Sequence, residues 1–285
     1  MKIIECPRDA MQGIHTHIPT RQKIAYINAL LRVGFDTIDF GSFVSPKVIP
    51  QMEDTRRVVR QLDLSDTDTQ LLAIVANERG AVEASGFEQI HYLGFPFSVS
   101  ETFQRRNTNI TQEQAFGLVQ DIYNLCLQKD KELVVYLSMG FGNPYGDVWD
   151  PAIVEHWTDR LVSAGIGIIS VADTVGIAQP KQIGDVFADL TSAFPDIEFG
   201  AHLHSESHNW QPKLEAAYQN GCHRFDGAMR GYGGCPMAQN TLVGNMATEN
   251  IVRFFEEERA DFVIDHAALA EAQLLANEVF GLVLA

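Results

Sequence analysis

The sequence is poor in three features, and each absence restricts the kind of protein it encodes. No apolar run approaches the ~20 residues of a membrane span, and charged Lys2 and Glu5 argue against a signal peptide. The four cysteines lie apart without CxxC spacing, so we expect reduced thiols and a cytoplasmic location. Only 21 lysine and arginine residues oppose 37 acidic ones, so neither nucleic acid nor membrane is an expected partner.

Short β-rich runs alternate with helical segments along the whole chain. The eight candidate strands are 2–6, 35–40, 70–76, 89–95, 133–139, 167–172, 198–204 and 224–228. This alternation predicts an α/β fold, a (β/α)8 TIM barrel with a short C-terminal helical extension. We expect a single catalytic domain over 1–285, with the barrel at about 1–258 and the last helix at about 266–283. A doubly wound open sheet would show the same alternation and is the structural alternative.

Polar residues fall where the predicted strands end, which is where TIM barrels carry their chemistry. Arg8 and Asp9 follow the first strand, Asp39 lies at the end of the second, and Asp173 follows the sixth. Taken singly, each has a plainer interpretation, because Arg8 and Asp9 could form a surface ion pair and the other two could cap helices. We give weight to the set because separate strand ends agree.

His202 and His204 are the strongest local signal. Side chains at i and i+2 of a strand point to the same face, so both imidazoles are expected at the barrel mouth. One core and one surface histidine would explain this pair alone equally well. With oxygen atoms from Asp9 and Asn245, the set fits a catalytic Mg²⁺, Mn²⁺ or Zn²⁺ site better than a closed structural zinc.

Seven stretches of the sequence match one family in order. They are ECPRD at 5–9 with Gln12, SFVSPK at 42–47, PQM at 50–52, DTVG at 173–176, HLH at 202–204, GGCP at 233–236 and GNMATE at 244–249. The chain thereby resembles 3-hydroxy-3-methylglutaryl-CoA (HMG-CoA) lyase, within a wider group of metal-dependent TIM-barrel lyases and acyl-CoA condensing enzymes. GGCP and SFVSPK are the more specific to the lyase branch.

The resemblance implies a divalent-metal-dependent carbon–carbon lyase that cleaves HMG-CoA, or a related 3-hydroxyacyl-CoA, to acetyl-CoA and acetoacetate or a related keto product. The metal, Mg²⁺ or Mn²⁺ before Zn²⁺, would be held by residues from three strand ends: Asp9, His202, His204 and Asn245. Arg8 would neutralise the enolate oxygen, and Cys235, on a glycine-flanked mobile loop, would protonate the enolate. His202 and Asp9 are both candidates for the base that takes the hydroxyl proton.

The same resemblance implies supporting residues and partners. Gln12, Asp39, Asp173 and Glu249 would support the site or bind substrate, and Ser205 or Glu206 would orient the metal histidines. Coenzyme A phosphates have three candidate contacts, which are equally well read as solvated surface charge: Lys47, Arg105 and Arg106. A homodimer is expected. The alternative functions are a condensing enzyme, such as a citramalate or isopropylmalate synthase, and a non-catalytic metal-binding barrel.

Overall fold

Eight parallel strands form a closed barrel in sequence order, with β8 paired to β1. The computed structural model describes residues 1–234 and 243–281. The strands are β1 (Lys2–Glu5), β2 (Thr37–Ser42), β3 (Gln70–Ile74), β4 (Ile90–Ser98), β5 (Glu132–Ser138), β6 (Ile168–Ala172), β7 (Glu198–His202) and β8 (Arg224–Gly227). The predicted TIM barrel is therefore confirmed, and the open-sheet alternative is wrong.

Helices connect the strands on the outside of the barrel. They are α1 (Pro7–Gln12), α2 (Thr20–Leu31), α3 (Thr55–Val59), α4 (Glu78–Ser85), α5 (Glu101–Thr108), α6 (Gln112–Lys129), α7 (Pro151–Ser163), α8 (Pro180–Ala193), α9 (Trp210–Gln219), α10 (Thr248–Glu257) and α11 (His266–Val279). The start of α6 has a capping box on Thr111, and Asp150 caps α7 before a proline at its first turn. Within the described ranges, no helix is long and apolar enough to cross a membrane.

The structure differs from the sequence-based expectation at three places that matter for the site. Arg8 and Asp9 lie on the short helix α1 instead of in an extended strand end. Asp39 lies in the middle of β2, because that strand continues to Ser42. β7 ends at His202, and His204 instead forms an isolated antiparallel bridge with Asn245.

The core has two parts, which together fix the barrel mouth. The larger part lies between strands and helices and includes the fully buried Leu30, Phe95 and Phe187. The smaller part fills the inside of the barrel and includes Tyr92 and Tyr136. Such close-packed layers give the strand ends a fixed geometry, so the side chains that follow them are held in place.

Candidate active site

Asp9 is a buried carboxylate at the barrel mouth. Its Oδ1 accepts hydrogen bonds from Arg8 Nη1 at 2.8 Å and Gln12 Nε2 at 2.7 Å, and its Oδ2 accepts one from Asn245 Nδ2 at 2.7 Å. Burial alone would raise the pKa of Asp9, but the charge of Arg8 above all, with the neighbouring His202 and the hydrogen bond from Asn245, lowers it to about 2. Three acceptor sites out of about four are used, so Asp9 is an anion with a lone pair to spare.

His202 and His204 lie together, as the HxH spacing predicts. Their ring centroids are 5.4 Å apart. Each ring is oriented through Nδ1: that of His202 lies 2.9 Å from Asp226 Oδ2, and that of His204 lies 2.9 Å from the Val243 carbonyl oxygen. Each Nε2 makes no hydrogen bond within the described residues. Burial, with the neighbouring His202, lowers the pKa of His204 to about 4, so this ring is neutral and can donate a lone pair.

Asn245 completes the group and depends on a glycine. Its Nδ2 donates to Asp9 and, at 2.8 Å, to the Tyr232 carbonyl oxygen, so Oδ1 is its free atom. Gly233 packs against both residues: a Cβ there would lie 2.5 Å from Asn245 Nδ2 and 2.9 Å from the Asp9 carbonyl oxygen. Its φ of +103° also favours glycine. The first glycine of the GGCP stretch is therefore required, because its backbone packs closely against Asn245 and Asp9.

The four predicted ligand residues offer the kinds of donor atom that a divalent cation takes. Asp9, His202, His204 and Asn245 each keep one lone pair free, and two nitrogens with two oxygens suit Mn²⁺, Zn²⁺ or Mg²⁺. A second group, Cys6 with His202 and Asp226, has ligand atoms within 4.8 Å of one another. In this second group the Nδ1 of His202 is already engaged by Asp226 Oδ2 at 2.9 Å, and the Cys6 Sγ contacts the Ile4 carbonyl oxygen at 3.8 Å. Nε2 of His202 is therefore the atom better placed to coordinate a metal ion.

Arg8 is held in a fixed orientation beside this group. Nε and Nη2 donate to Asp39 at 3.0 and 2.5 Å, and Nη1 donates to Asp9 and Gln12. A guanidinium has five N–H groups, so among the described residues one on Nη2 is left for another acceptor. Burial raises the pKa of Asp39 to about 6, although Arg8 opposes this shift. Arg8 also lines the central cavity, where a substrate oxygen could accept from it.

Two of the predicted supporting carboxylates, Asp173 and Glu249, form hydrogen bonds that hold segments next to the site. Asp173 Oδ2 accepts from Lys213 Nζ at 2.7 Å, and the same Nζ donates to the carbonyl oxygen of His204 at 2.8 Å. Glu249 accepts from the backbone N–H of Arg230, at 3.1 Å to Oε2. Asp173 and Glu249 therefore stabilise the backbone around the site. Asp173 acts on His204 indirectly, because it binds the Lys213 ammonium that donates to the His204 carbonyl oxygen.

The expected orienting role of Ser205 or Glu206 is wrong. Ser205 Oγ donates to the sulfur of Met246 at 3.5 Å, and Glu206 pairs with His208 at 3.2 Å on the surface. The carboxylate that orients His202 is Asp226, which sits opposite it in the parallel register of β7 and β8. A charged residue in the interior of the short strand β8, directly after Phe225, was the available sequence signal for Asp226.

A cavity of about 160 Å³ opens from Asp9, His202 and His204 across the barrel mouth. One end is polar. The opposite wall is largely apolar and is formed by residues on or after β2 to β6: Val44, Val48, Ile49, Ile74, Ala76, Pro96, Phe103, Tyr136 and Ala172. Asn107 and Thr108 at the end of α5 also line it. Cys235, the predicted proton donor, lies outside the described residues.

The three candidate phosphate contacts lie near this cavity's rim but differ in environment. Lys47 is exposed on the segment after β2. Arg105 is paired with Glu101 at 2.6 Å, and the Arg106 guanidinium lies 4.5 Å from the centroid of the Tyr145 ring. Lys47 and Arg106 are therefore the better candidates for an anionic ligand.

A closed TIM barrel with buried polar side chains at the carboxyl ends of its strands defines the class of a TIM-barrel enzyme. The chain belongs to the HMGL-like family, whose model matches residues 2–275. It is 33% identical over 254 residues to the hydroxymethylglutaryl-CoA lyase of Bacillus subtilis, covering 88% of this chain and 83% of that protein. The resemblance drawn from the motifs is confirmed, and the chain is an enzyme of the carbon–carbon lyase class.

Two further relatives bear on what such sites accept. The chain is 29% identical to the (R)-citramalyl-CoA lyase of Chloroflexus aurantiacus over 96% of this chain and 89% of that protein. The solved structure of an HMG-CoA lyase from Acinetobacter baumannii, in complex with coenzyme A and 3-methylmalate, matches with a TM-score of 0.91. The identity is 30%, and the match covers 99% of this chain and 91% of that one.

Proposed function

We propose that the chain cleaves HMG-CoA, or a closely related 3-hydroxyacyl-CoA, in a divalent-metal-dependent reaction. The observation that carries this proposal is the convergence of four residues with free lone pairs beside the fixed guanidinium of Arg8: Asp9, His202, His204 and Asn245. Both named relatives act on acyl-CoA thioesters that carry a hydroxyl group, which agrees with this chemistry.

In the proposed reaction the bond between C2 and C3 of the thioester breaks. A general base at the barrel mouth takes the hydroxyl proton, C3 becomes the carbonyl carbon of acetoacetate, and the electron pair of the broken bond enters the thioester enolate. Protonation at C2 then gives acetyl-CoA. A divalent cation held by the four residues would supply Lewis-acid polarisation of the substrate hydroxyl.

The residues of the chain have separate tasks in this scheme. The free N–H on Arg8 Nη2 donates to the enolate oxygen as its negative charge develops, and Asp39 fixes the guanidinium in that orientation. His202 has its Nδ1 on Asp226, so it cannot both hold the metal and take the hydroxyl proton. We assign the protonation of C2 to Cys235 on the family resemblance alone.

We also propose that the coenzyme A phosphates lie over the rim after β2 and β4. The net charge of −16 requires local cations to hold such an anion, and Lys47 and Arg106 are the candidates that the preceding geometry favours. The apolar cavity wall below them suits the uncharged pantetheine arm. The homodimer and the cytoplasmic location stay predictions.

The test is a product assay with two substrates. With Mn²⁺ or Mg²⁺, HMG-CoA should yield equal amounts of acetoacetate and acetyl-CoA. The second substrate, (R)-citramalyl-CoA, would yield pyruvate and acetyl-CoA by the same bond cleavage. A higher kcat/KM for it would assign the citramalyl substrate instead. If the protein cleaves neither substrate but releases free thiol when given acetyl-CoA and a 2-keto acid, the lyase proposal is refuted and the condensing enzyme is supported.

A further inference from the structure

The barrel interior below His202 contains a cluster of buried polar atoms without partners. Among the described residues, seven buried side-chain atoms have no hydrogen-bond partner, and five of them belong to four residues of the barrel strands: Tyr136, Ser170, Arg224 and Asp226. An unsatisfied buried donor or acceptor costs about 1–3 kcal/mol, so a concentration of five in one place requires a reason.

The alternation of strand residues places these side chains inside the barrel. Tyr136 packs there with Val134 and Ile168. Ser170 follows Ile168 by two positions on β6, so it shares that face. The Arg224 guanidinium lies 5.6 Å from the centroid of the interior Tyr92 ring, and Asp226, two residues further on β8, faces the same space.

Within this cluster, Tyr136 and Asp226 are complementary and both touch His202. The Tyr136 ring stands edge-on to the His202 ring, with centroids 5.8 Å apart and an angle of 86°. Asp226 Oδ2 holds His202 Nδ1, while Oδ1 is an acceptor without a donor. The Tyr136 hydroxyl is a donor without an acceptor.

We propose that Tyr136 is a positioning residue of the metal site: its hydroxyl donates to a water that in turn donates to Asp226 Oδ1, and this bridge fixes the carboxylate that orients His202. This inference rests on the proposed metal-dependent function. Carboxylates behind metal-bound histidines fix the ring and its tautomer. A second hydrogen bond on the far oxygen would stop the carboxylate from rotating away from Nδ1.

One competing donor is the thiol of Cys6, which lies within 4.8 Å of the same carboxylate and ring, and the guanidinium of Arg224 is another. Its Sγ contacts the Ile4 carbonyl oxygen at 3.8 Å, and a thiol is the weaker donor. Arg224 Nε and Nη2 also lack partners, and a phenol oxygen can accept from them while it donates to the water that bridges to Asp226. Tyr136 can thus satisfy both neighbours at once.

The experiment measures Mn²⁺ affinity of the metal-free protein by titration calorimetry for the wild type, Tyr136→Phe, Asp226→Asn and the double variant. The matched control is Tyr92→Phe, which removes a phenol oxygen from the same interior cluster. Tyr92 lies near the start of β4, in register with Glu132 at the start of β5, which places it towards the other end of the barrel. Tyr136→Phe removes one atom and should leave the folded state intact, which circular dichroism checks.

We expect Mn²⁺ affinity to fall about 10- to 100-fold in Asp226→Asn and about 3- to 10-fold in Tyr136→Phe, with no change in Tyr92→Phe. The double variant should be no weaker than Asp226→Asn, because the tyrosine acts through the carboxylate. The role of Tyr136 would be refuted, with the proposed function left standing, by either of two results. One is wild-type Mn²⁺ affinity in Tyr136→Phe, and the other is a loss of affinity in the double variant equal to the sum of the two single losses in free energy. A wild-type protein that binds no divalent metal and cleaves no thioester would overturn it together with the proposed function.

Discussion

Glu5 gives a prediction that can be worked out quantitatively from its surroundings. This carboxyl is fully buried, and it joins β1 to two segments that follow β8: Oε1 accepts from the Met229 N–H at 3.0 Å, and Oε2 meets the Thr248 hydroxyl. Burial raises its pKa to about 8 despite these hydrogen bonds, so the folded protein holds Glu5 protonated at neutral pH.

The sign of the pH effect follows from proton binding. Between the unfolded pKa of 4.5 and the folded value of about 8, the folded state binds one more proton than the unfolded state. The stability contributed by this proton is therefore complete below pH 4.5 and is lost as the pH rises towards 8. At about 1.4 kcal/mol per unit, the wild type should lose roughly 3–4 kcal/mol between pH 5 and pH 8 from this group.

The perturbation is Glu5→Gln, which keeps the shape of the side chain and removes the titration. Urea unfolding of both proteins at pH 5, 6, 7 and 8 measures the difference in free energy, and the other titrating groups cancel. The variant should gain about 3–4 kcal/mol relative to the wild type across this range. A difference that does not change with pH, or one that grows in favour of the wild type, would refute a protonated Glu5.

Three further predictions concern the mouth. Arg8→Met should lower kcat about 100- to 1,000-fold in the product assay, because the enolate oxygen loses its donor; an unchanged kcat would exclude this role. Gly233→Ala should abolish Mn²⁺ binding in calorimetry, since its Cβ would displace Asn245; wild-type affinity would contradict the packing. Arg106→Glu should raise KM for the thioester about tenfold at low salt, whereas Arg160→Glu on α7 should not. An equal rise in KM for both variants would contradict the placement of the coenzyme A phosphates beside Arg106.

The fold and the pairing of the two histidines could be predicted because they depend on short-range patterns. The strand–helix alternation is visible over windows of about ten residues. The two-residue spacing predicts that His202 and His204 share a face if the strand continues. The rings do lie together, although β7 ends at His202 and the bridge between His204 and Asn245 holds the second histidine.

The residues that orient the site could not be predicted, because they depend on contacts across the barrel. Asp226 meets His202 only through the register between β7 and β8, and Val243 reaches His204 over 39 residues of sequence. The short helix α1, which carries Arg8, is set by Pro7 at its first turn and has too few residues to show a helical period. Local patterns contain no information on such long-range pairs.

The most direct test of the central claim links metal content to carbon–carbon bond cleavage. Protein treated with a chelator and then titrated with Mn²⁺ should regain acetoacetate release from HMG-CoA in step with the binding of one metal ion per chain. His204→Ala, which removes one Nε2 donor, should lose both together. Full activity in the chelated protein, or activity in His204→Ala without metal binding, would contradict the account.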